Sequence, residues 1–208
     1  YQILKDYMYM LTTINSLFNE IKLKRIPSKK DVDELVDLIF KTVKDYQSEI
    51  LNIVYNYTDT DLSYLVIHSV NVAILSACIG FSLDINNFKV LQLIKAAMFH
   101  DVGMVRIPAH ILEKKEKLTD REFQYIKNHT ILGYKLLAES DGFTQEEMAV
   151  ALQHHERFNG SGYPAKVSGD KITLFAKIVA IADSYDAMTH SRSYKVKSLS
   201  HESMKNIL

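Results

Sequence analysis

The sequence has 208 residues, which is enough for one sizeable hydrophobic core, and its 25 basic residues balance its 25 acidic ones. This balance excludes a protein that holds nucleic acid polymers by bulk positive charge, so an anionic ligand would have to be bound at a local site. A single cysteine, Cys78, excludes disulfide bonds within the chain and is typical of a protein in the reducing cytoplasm.

Apolar residues in the first segment recur at alternating steps of four and three, a heptad-like pattern about three repeats long. One interpretation is an amphipathic helix that packs on its own domain. The other is a signalling helix that enters from an upstream domain and could also form a homodimer. Because the chain begins without a methionine and stops within a helical pattern, we expect it to be part of a longer protein. The residues of the heptad-like seam are Ile3, Tyr7, Met10, Ile14, Leu17 and Ile21.

A break at Arg25-Ile26-Pro27 ends this pattern, and Ser28 with Asp31 is typical of the start of a second helix. We assign residues 1–57 to an N-terminal helical segment and residues 58–208 to the catalytic domain, which we expect to continue beyond the last residue. The inward-facing residues of the second helix are predicted to be Val32, Leu35, Val36, Ile39, Val43 and Tyr46.

Two further helices are predicted at about 60 to 81 and 86 to 99, with Gly103 as a helix stop. The first of them contains the most apolar run, LVIHSVNVAILSACIGF. This run is short for a membrane span of about 20 residues and contains polar side chains, so we predict a buried helix and no membrane contact.

The rest of the chain is predicted to be helical as well. Two helices are expected to begin at capping boxes, Thr119 with Glu122 and Thr144 with Glu147, and a last helix is expected over LFAKIVAIADSYDAMTH. Sustained alternation typical of strands is absent. The sequence therefore predicts an all-α architecture, a helical bundle with an extra N-terminal segment.

Seven histidines and aspartates fall within or at the ends of these predicted helices, mostly among apolar residues. Burying so many imidazoles and carboxylates without partners would be costly, whereas a shared metal cluster would satisfy them together. Nitrogen and oxygen donors suit Fe, Mn, Zn or Ni, and the lack of thiolates excludes a cysteine-based structural zinc site. The candidate ligands are His68, His100, Asp101, His129, His154, His155 and Asp183.

Adjacent ligands such as His100-Asp101 carry further information. Neighbouring side chains diverge by about 100° on a regular helix, so both can address one cluster only near a helix end or from between two metal ions. A carboxylate can bridge two ions, whereas an imidazole normally binds one. We therefore predict that Asp101 bridges two metal ions, with His100 on one side and His154 and His155 on the other.

These residues, in their order and local context, resemble the HD-GYP domain family. The resemblance rests on His68, HDVGM at 100–104, IKNHTILGYKLL at 126–137, HHERFNGSGYP at 154–164 and AKIVAIADSYDAMTHSRSYK at 176–195. This family is the branch of the bacterial HD metal-dependent phosphohydrolases that hydrolyses cyclic di-GMP. The resemblance implies an all-helical HD fold, a cytoplasmic signalling enzyme, and a metal-bridging hydroxide that attacks a phosphodiester to give linear pGpG, and it leaves open whether pGpG or GMP is the final product.

The resemblance also implies roles for individual residues. His68, His100, Asp101 and Asp183 resemble the basic HD ligand set, and His129, His154 and His155 resemble the ligands that complete a second metal ion. The metal would be Fe or Mn, with Zn, Ni or Co as alternatives. The predicted substrate contacts are Tyr163, Arg192, Lys195, Gly160 and Gly162, the two glycines allowing tight turns with positive φ. Asp186 and Glu156 are predicted to support the ligands, Asp186 by orienting a histidine or taking a proton.

Two positions depart from the family pattern. Tyr64 stands where family members with three metal ions carry a glutamate, so we predict two ions. Met104 stands where the family usually has a lysine that helps to hold the scissile phosphate. Met104 leaves three alternatives open: a slower phosphodiesterase, an enzyme for another cyclic nucleotide or dinucleotide, or a catalytically weak receptor that signals through its N-terminal helix.

Overall fold

The computed structural model describes residues 2–57, 62–112, 114 and 116–189. Within these residues the chain forms nine α-helices and two short 3-10 turns and no β-strand, so the predicted all-α class is confirmed. The elements are α1 (Gln2–Lys22), α2 (Lys29–Asn56), α3 (Tyr64–Ser82), α4 (Asn87–Met98), a 3-10 turn (Val102–Arg106), α5 (Ala109–Leu112), α6 (Asp120–Lys127), α7 (His129–Ala138), α8 (Gln145–Gln153), a second 3-10 turn (Gly169–Lys171) and α9 (Leu174–Thr189).

The N-terminal helix α1 packs its heptad-like seam into the protein's own core. Tyr7, Met10, Ile14, Leu17 and Ile21 are all buried, and α1 lies against α2, α3 and the first 3-10 turn. The seam therefore belongs to the domain itself, which is the first of the two interpretations. A homodimer through α1 stays a prediction, and it would have to use the remaining face of this helix.

The second helix is bent. Tyr46 has non-helical backbone angles, φ −138° and ψ 42°, in the middle of α2, and its side chain is 48% exposed. The prediction that Tyr46 faces inward is therefore wrong, because the kink rotates this position out of the apolar face. The other predicted inward-facing residues of α2 are all buried, as predicted: Val32, Leu35, Val36, Ile39 and Val43.

The apolar helix α3 lies at the centre of the bundle, where it packs against α1, α2, α4 and α9. Within the described residues it is the one helix that is long and apolar enough to cross a membrane, with a mean hydropathy of 1.8. However, 72% of its apolar window is buried by the other helices. This burial matches the predicted core helix, since a membrane span would expose its apolar side chains to lipid.

The buried residues of α1, α2, α3, α4, α8 and α9 belong to one hydrophobic cluster. The proposed N-terminal segment and the domain that follows it thus share a core. The division into residues 1–57 and 58–208 stays a prediction, and these two parts pack as one globule rather than as separated units.

Helix ends follow the predicted caps. Both capping boxes form, with Thr119 and Thr144 each accepting the backbone N–H three residues ahead, and Ser28 caps α2 in the same way. Two boundaries differ from the expectation that the helices begun at these capping boxes carry His129 and His154-His155. The helix that starts after Thr144 ends at Gln153, before His154. The helix that starts after Thr119 ends at Lys127, and His129 is the first residue of a new helix, α7.

Gly103 has a different role from the predicted helix stop. It lies inside the 3-10 turn with negative φ, and a Cβ placed on it would be 1.9 Å from the His129 carbonyl oxygen and 2.6 Å from the backbone nitrogen of Gly133. Glycine is needed here because α7 crosses this turn backbone to backbone. The close crossing holds the His100-Asp101 turn against the start of α7, where His129 lies.

Candidate metal centre

Four histidines meet at the centre of the bundle, and each directs its Nε2 atom into the cluster. In each of them the Nδ1 atom lies within hydrogen-bond distance of a protein oxygen, and donation from Nδ1 leaves the Nε2 lone pair free to bind a metal ion. Three of the acceptors are backbone carbonyls three or four residues earlier in the chain, at the end or start of a helix. The pairs are His100 with Ala97 at 2.7 Å, His129 with Ile126 at 2.8 Å, His154 with Val150 at 3.0 Å, and His68 with the Asp186 carboxylate at 2.6 Å.

Asp101 lies between two groups of these histidines. Its Oδ1 atom is 3.1 Å from His129 Nε2 and 3.4 Å from His154 Nε2. Its Oδ2 atom faces the other way, 3.6 Å from His100 Nε2 and 3.9 Å from His68 Nε2. One carboxylate oxygen is thus directed at each group, which is the arrangement that a bridging carboxylate needs.

The donor atoms form two overlapping sets. In the first, ligand atoms of His68, His100 and Asp101 lie within 4.8 Å of one another. In the second set, His129, His154 and His155 meet the same aspartate within that distance. The sets match the predicted distribution of ligands on the two sides of Asp101, while their roles as metal ligands stay predictions.

Asp183 reaches both sets from α9. Its Oδ1 atom is 3.1 Å from His68 Nε2, and its Oδ2 atom is 3.9 Å from His155 Nδ1. Sequence reasoning identified Asp183 as a candidate ligand but gave no indication that it spans the two sets, because nothing in α9 alone says what its carboxylate faces.

The polar atoms of this cluster fit divalent cations. His68 Nε2, His100 Nε2 and Asp101 Oδ1 are fully buried and form no hydrogen bond with the described residues, although they lie close together. Leaving such atoms without partners costs free energy, and a cation would satisfy all of them at once. Imidazole nitrogen and carboxylate oxygen are also the donors that first-row divalent metals accept.

The protonation equilibria favour the ligand form at His100 and Asp101, whereas the pKa values of His68 and His129 are raised. Burial lowers the pKa of His100 to about 4, so its imidazole is neutral at pH 7. Burial would raise the pKa of Asp101, but the neighbouring imidazoles of His100 and His129 outweigh it and hold this pKa well below the ordinary value. For His129, burial lowers the pKa, but the Asp101 carboxylate raises it above the usual range, so a proton and a metal cation compete for this nitrogen.

Asp186 on α9 contacts His68, and its supporting role stays a prediction. Besides its contact with His68, it accepts a hydrogen bond of 2.9 Å from the Asn71 side-chain amide, and all three side chains are buried. A carboxylate behind an imidazole fixes the tautomer and the ring orientation.

The loop at 154–164 closes over the cluster by tight backbone packing. Gly160 has φ +76°, as predicted, but the prediction of a positive φ for Gly162 is wrong. A Cβ on Gly162 would be 2.4 Å from both the Arg157 nitrogen and the Glu156 Cα, so glycine is required there by close approach. Glu156 is buried and accepts a hydrogen bond of 2.7 Å from the Ala165 N–H, which ties the end of the loop to its start.

This loop puts Tyr163 beside the histidines. Its ring lies 4.7 Å from the ring of His155 and 6.4 Å from that of His129, and its N–H donates to the His155 carbonyl at 3.2 Å. Burial raises the pKa of the Tyr163 phenol well above its ordinary value, and the Asp101 and Asp183 carboxylates raise it further, so the hydroxyl keeps its proton. Tyr163 thus offers a neutral donor at the edge of the cluster.

Sequence reasoning missed Lys127. Its Nζ atom lies 5.0 Å from the centre of the Tyr163 ring and 4.8 Å from that of Phe123, a cation–π arrangement at the edge of the site. Its position two residues before His129 was the available signal.

The two departures from the family pattern contact different residues of the cluster. Tyr64 stacks on His68 at 5.1 Å between ring centres, with its hydroxyl 3.2 Å from His68 Nδ1. Met104 is partly buried in the first 3-10 turn, where its N–H donates to the Asp101 carbonyl at 2.8 Å. The predicted phosphate contacts Arg192 and Lys195 lie outside the described residues.

A sequence model of the family described as HD domain matches residues 47–208. A cyclic di-GMP phosphodiesterase of Thermotoga maritima is 34% identical over 190 residues, which cover 91% of this chain and 50% of the relative. A 3'3'-cGAMP-specific phosphodiesterase of Vibrio cholerae is 42% identical over 101 residues, which cover 48% of this chain and 19% of that relative. The chain thus spans half or less of the length of these two curated relatives.

Among solved structures, an HDG"Y"P protein of Bdellovibrio bacteriovorus, Bd1817, shares the fold with a TM-score of 0.78. It is 21% identical, and the match covers 97% of this chain and 63% of that one. The helical fold, the histidine and aspartate cluster and the family match lead to one conclusion: the chain belongs to the HD domain family, in its HD-GYP branch.

Proposed function

We propose that this chain is the catalytic region of a metal-dependent phosphodiesterase that hydrolyses cyclic di-GMP to linear pGpG, with GMP as a further product. The observation that carries the proposal is Asp101, whose two oxygens face two separate sets of histidines. The similarity to the Thermotoga maritima phosphodiesterase over 91% of the chain supports the substrate.

The proposed metal sites are the two sets around Asp101, with Asp183 reaching both. When bound there, two divalent cations would supply Lewis acidity that gives hydroxide near neutral pH and neutralises charge on the phosphate. We favour Fe or Mn, with Zn, Ni or Co as alternatives, since nitrogen and oxygen donors accept all of these ions.

The protein's own residues have separate tasks in this proposal. The Nδ1 hydrogen bonds hold the imidazoles in one tautomer, so no reorientation is needed when substrate arrives. Tyr163 donates from its neutral hydroxyl to a phosphate or sugar oxygen of the dinucleotide. Lys127, beside Tyr163, supplies a positive charge near the bound phosphates, which Met104 cannot supply.

The direct test is a turnover assay of the protein loaded with Mn²⁺ or, without oxygen, Fe²⁺. We expect cyclic di-GMP to be linearised by the wild type and by Asp37→Asn, an exposed aspartate on α2, and not by Asp101→Asn. Intact cyclic di-GMP, under conditions in which an active relative cleaves it, would refute the proposal.

The number of metal ions is tested separately. Tyr64 offers a phenol where a third ion would need a carboxylate, so we expect elemental analysis to give two ions per chain. Three ions per chain would contradict this part of the proposal. Tyr64→Glu restores a carboxylate one turn before His68, and we expect it to raise the metal content above that of Tyr64→Gln.

A second candidate function is a catalytically weak receptor for cyclic dinucleotides, and Met104 is the observation that favours it. A thioether cannot donate a hydrogen bond or carry a positive charge. Binding of cyclic di-GMP without turnover would select the receptor, and a gain of turnover in Met104→Lys would mean that Met104 attenuates the enzyme. Met104→Leu is the matched control, because it keeps size and apolar character.

The substrate could also be another cyclic nucleotide or dinucleotide, and the similarity to the Vibrio cholerae 3'3'-cGAMP-specific phosphodiesterase supports this alternative. A panel of cyclic di-GMP, 3'3'-cGAMP and cyclic di-AMP separates the possibilities by kcat/KM. Cleavage of 3'3'-cGAMP at least about 10-fold faster than cyclic di-GMP would replace the first substrate by the second.

A further inference from the structure

A continuous row of buried hydrogen bonds leads from the N-terminal helix to the candidate metal centre. The Tyr7 hydroxyl on α1 donates to Asn71 Oδ1 on α3 at 2.7 Å. The Asn71 amide nitrogen donates to Asp186 Oδ1 on α9 at 2.9 Å, and Asp186 Oδ2 lies 2.6 Å from His68 Nδ1. Each of these four side chains is at most 1% exposed, so water does not replace any link in this row.

The row has one consistent assignment of protons. An ionised Asp186 can only accept, so the Asn71 nitrogen faces it and the Asn71 oxygen must accept from Tyr7. Burial raises the pKa of the Tyr7 phenol well above its ordinary value, so this hydroxyl keeps its proton. His68 in turn donates from Nδ1 to Asp186, and its Nε2 atom is directed at Asp101 and Asp183.

The Tyr64 hydroxyl competes weakly for the same nitrogen. It lies 3.2 Å from His68 Nδ1, compared with 2.6 Å for Asp186 Oδ2, and Asp186 also carries the charge. The shorter, charge-assisted bond sets the ring orientation.

Tyr7 is the polar exception in the buried seam of α1. The other buried residues of this helix are Met10, Leu11, Ile14, Leu17, Phe18 and Ile21, all of them apolar. The aromatic ring of Tyr7 fills core space and packs edge-on against Tyr57 at 5.1 Å, a task that phenylalanine would perform equally well. The hydroxyl is therefore the part of Tyr7 that packing leaves unexplained, and it donates a hydrogen bond to Asn71.

We propose that Tyr7 is a positioning residue for the metal centre: through Asn71 and Asp186 it holds His68 in the ring orientation and tautomer that bind a metal ion. The inference rests on the proposed function only in taking His68 as a metal ligand. It also gives α1 a physical connection to the site, since a shift of α1 that breaks the bond to Asn71 changes the hydrogen bonding behind His68. A change imposed on α1 from outside the domain would in this way alter metal affinity.

The test compares Tyr7→Phe with Tyr55→Phe. Tyr55 is a matched control because its hydroxyl pairs with Tyr185 on α9, outside the Tyr7–Asn71–Asp186–His68 row. The first measurement is the affinity for Zn²⁺ alone, by competition with a chelator, so a protein that cleaves no cyclic dinucleotide is still informative. We expect Tyr7→Phe to lower this affinity about 10-fold and Tyr55→Phe to leave it unchanged.

The second measurement is the NMR signal of the His68 ring. In wild type, the proton on Nδ1 should resonate far downfield because of the short bond to Asp186, before and after loading with Zn²⁺. We expect this resonance to move upfield in Tyr7→Phe and to stay in place in Tyr55→Phe. A loss of stability without a change at His68 would mean that Tyr7 has only a packing role, and would overturn the proposal.

A double-variant cycle checks the connectivity. Asn71→Leu removes the next link, so adding Tyr7→Phe to it should have no further effect on Zn²⁺ affinity. If the two substitutions lower Zn²⁺ affinity independently, so that the double variant shows the product of the two fold-changes, the proposal is overturned. Should Asn71→Leu fail to fold, the single oxygen atom removed in Tyr7→Phe still decides the question through the first two measurements.

Discussion

Two pairs of adjacent candidate ligands, His100-Asp101 and His154-His155, each begin within two residues of the end of a helix but lie in different surroundings. The first pair follows α4 and is almost fully buried, with Asp101 8% exposed. The second follows α8, and the side chain of His155 is 23% exposed. His154 in the second pair is also fully buried, so of the four side chains it is His155 that lies toward the surface.

The backbone after each pair accounts for the difference. After Asp101 the chain enters a 3-10 turn that is pressed against α7 at Gly103. After His155 it forms the loop that carries Tyr163 along the edge of the cluster. In the proposed function, the first pair would anchor the metal centre in the core, and the second would connect it to the space where substrate binds. Replacing residues in each pair and its turn should separate these two tasks.

The largest effect is expected for Asp101→Asn. This change removes one of the two carboxylate charges and a bridging oxygen between the two sets of histidines. We expect metal content to fall for both ions and turnover to fall at least about 1,000-fold, beyond the roughly 10- to 100-fold that supporting residues cost. Elemental analysis and a turnover assay measure this, with Asp37→Asn as control. A variant that keeps two ions would show that Asp101 does not bridge them.

Gly103→Ala should damage the anchored pair through the backbone. The new Cβ would collide with the His129 carbonyl, so either α7 or the turn must move. We expect a loss of about 3 kcal/mol in the free energy of unfolding, measured with urea on metal-free protein.

Gly80→Ala is the control for this change, because its Cβ would meet only the Leu93 and Val90 side chains and alanine favours the helix. It should stay within about 1 kcal/mol of wild type. Equal effects of the two substitutions would contradict the crossing at Gly103 as the cause.

Gly162→Ala should affect the loop that carries Tyr163 and leave the His100-Asp101 pair unchanged. Its Cβ would clash with the backbone of Glu156 and Arg157, so the loop and Tyr163 are displaced. We expect kcat/KM for cyclic di-GMP to fall about 10- to 100-fold while the metal content is unchanged.

The matched control is Gly169→Ala. This residue has φ +59° and no neighbouring atom within 4 Å of a new Cβ, so the variant should lose about 1 kcal/mol of stability and keep its kcat/KM. Loss of metal from Gly162→Ala would place the effect on the ligands rather than on the loop.

The smallest effect is expected for Tyr163→Phe. The ring can stay stacked beside His155, and only the hydroxyl is lost. If this hydroxyl donates to the substrate, KM should rise about 3- to 10-fold with kcat nearly unchanged, the range for one hydrogen bond. Steady-state kinetics on metal-loaded protein decide this, and an unchanged KM would remove Tyr163 from the substrate contacts.

The candidate ligands of the metal centre and their positions near helix ends could be predicted from the sequence. The residue types, their positions at helix ends and the family resemblance identified all seven candidate ligands. The helix-end position also explains why His100, His129 and His154 find acceptors for Nδ1, since the carbonyls lie three or four residues earlier in the chain. Such contacts depend on local backbone geometry, which local sequence largely determines.

Other features could not be predicted because they depend on elements far apart in the chain. The close approach at Gly103 requires α7 to cross the turn, and the glycine alone suggested a helix stop instead. The contact of Tyr7 with Asn71 joins residues 64 positions apart, and that of Asn71 with Asp186 joins residues 115 apart. No spacing rule relates such residues.

The sequence by itself determined the helical class, the helix caps and the set of candidate metal ligands, because periodicity, capping and ligand chemistry are properties of short segments. Only the tertiary structure decided which oxygen of Asp101 faces which histidines, that Asp183 reaches both sets, and that α1 is hydrogen-bonded through Asn71 and Asp186 to His68. These outcomes depend on how α1, α3, α7 and α9 pack, and packing is set by the shape and burial of the whole core rather than by any one segment.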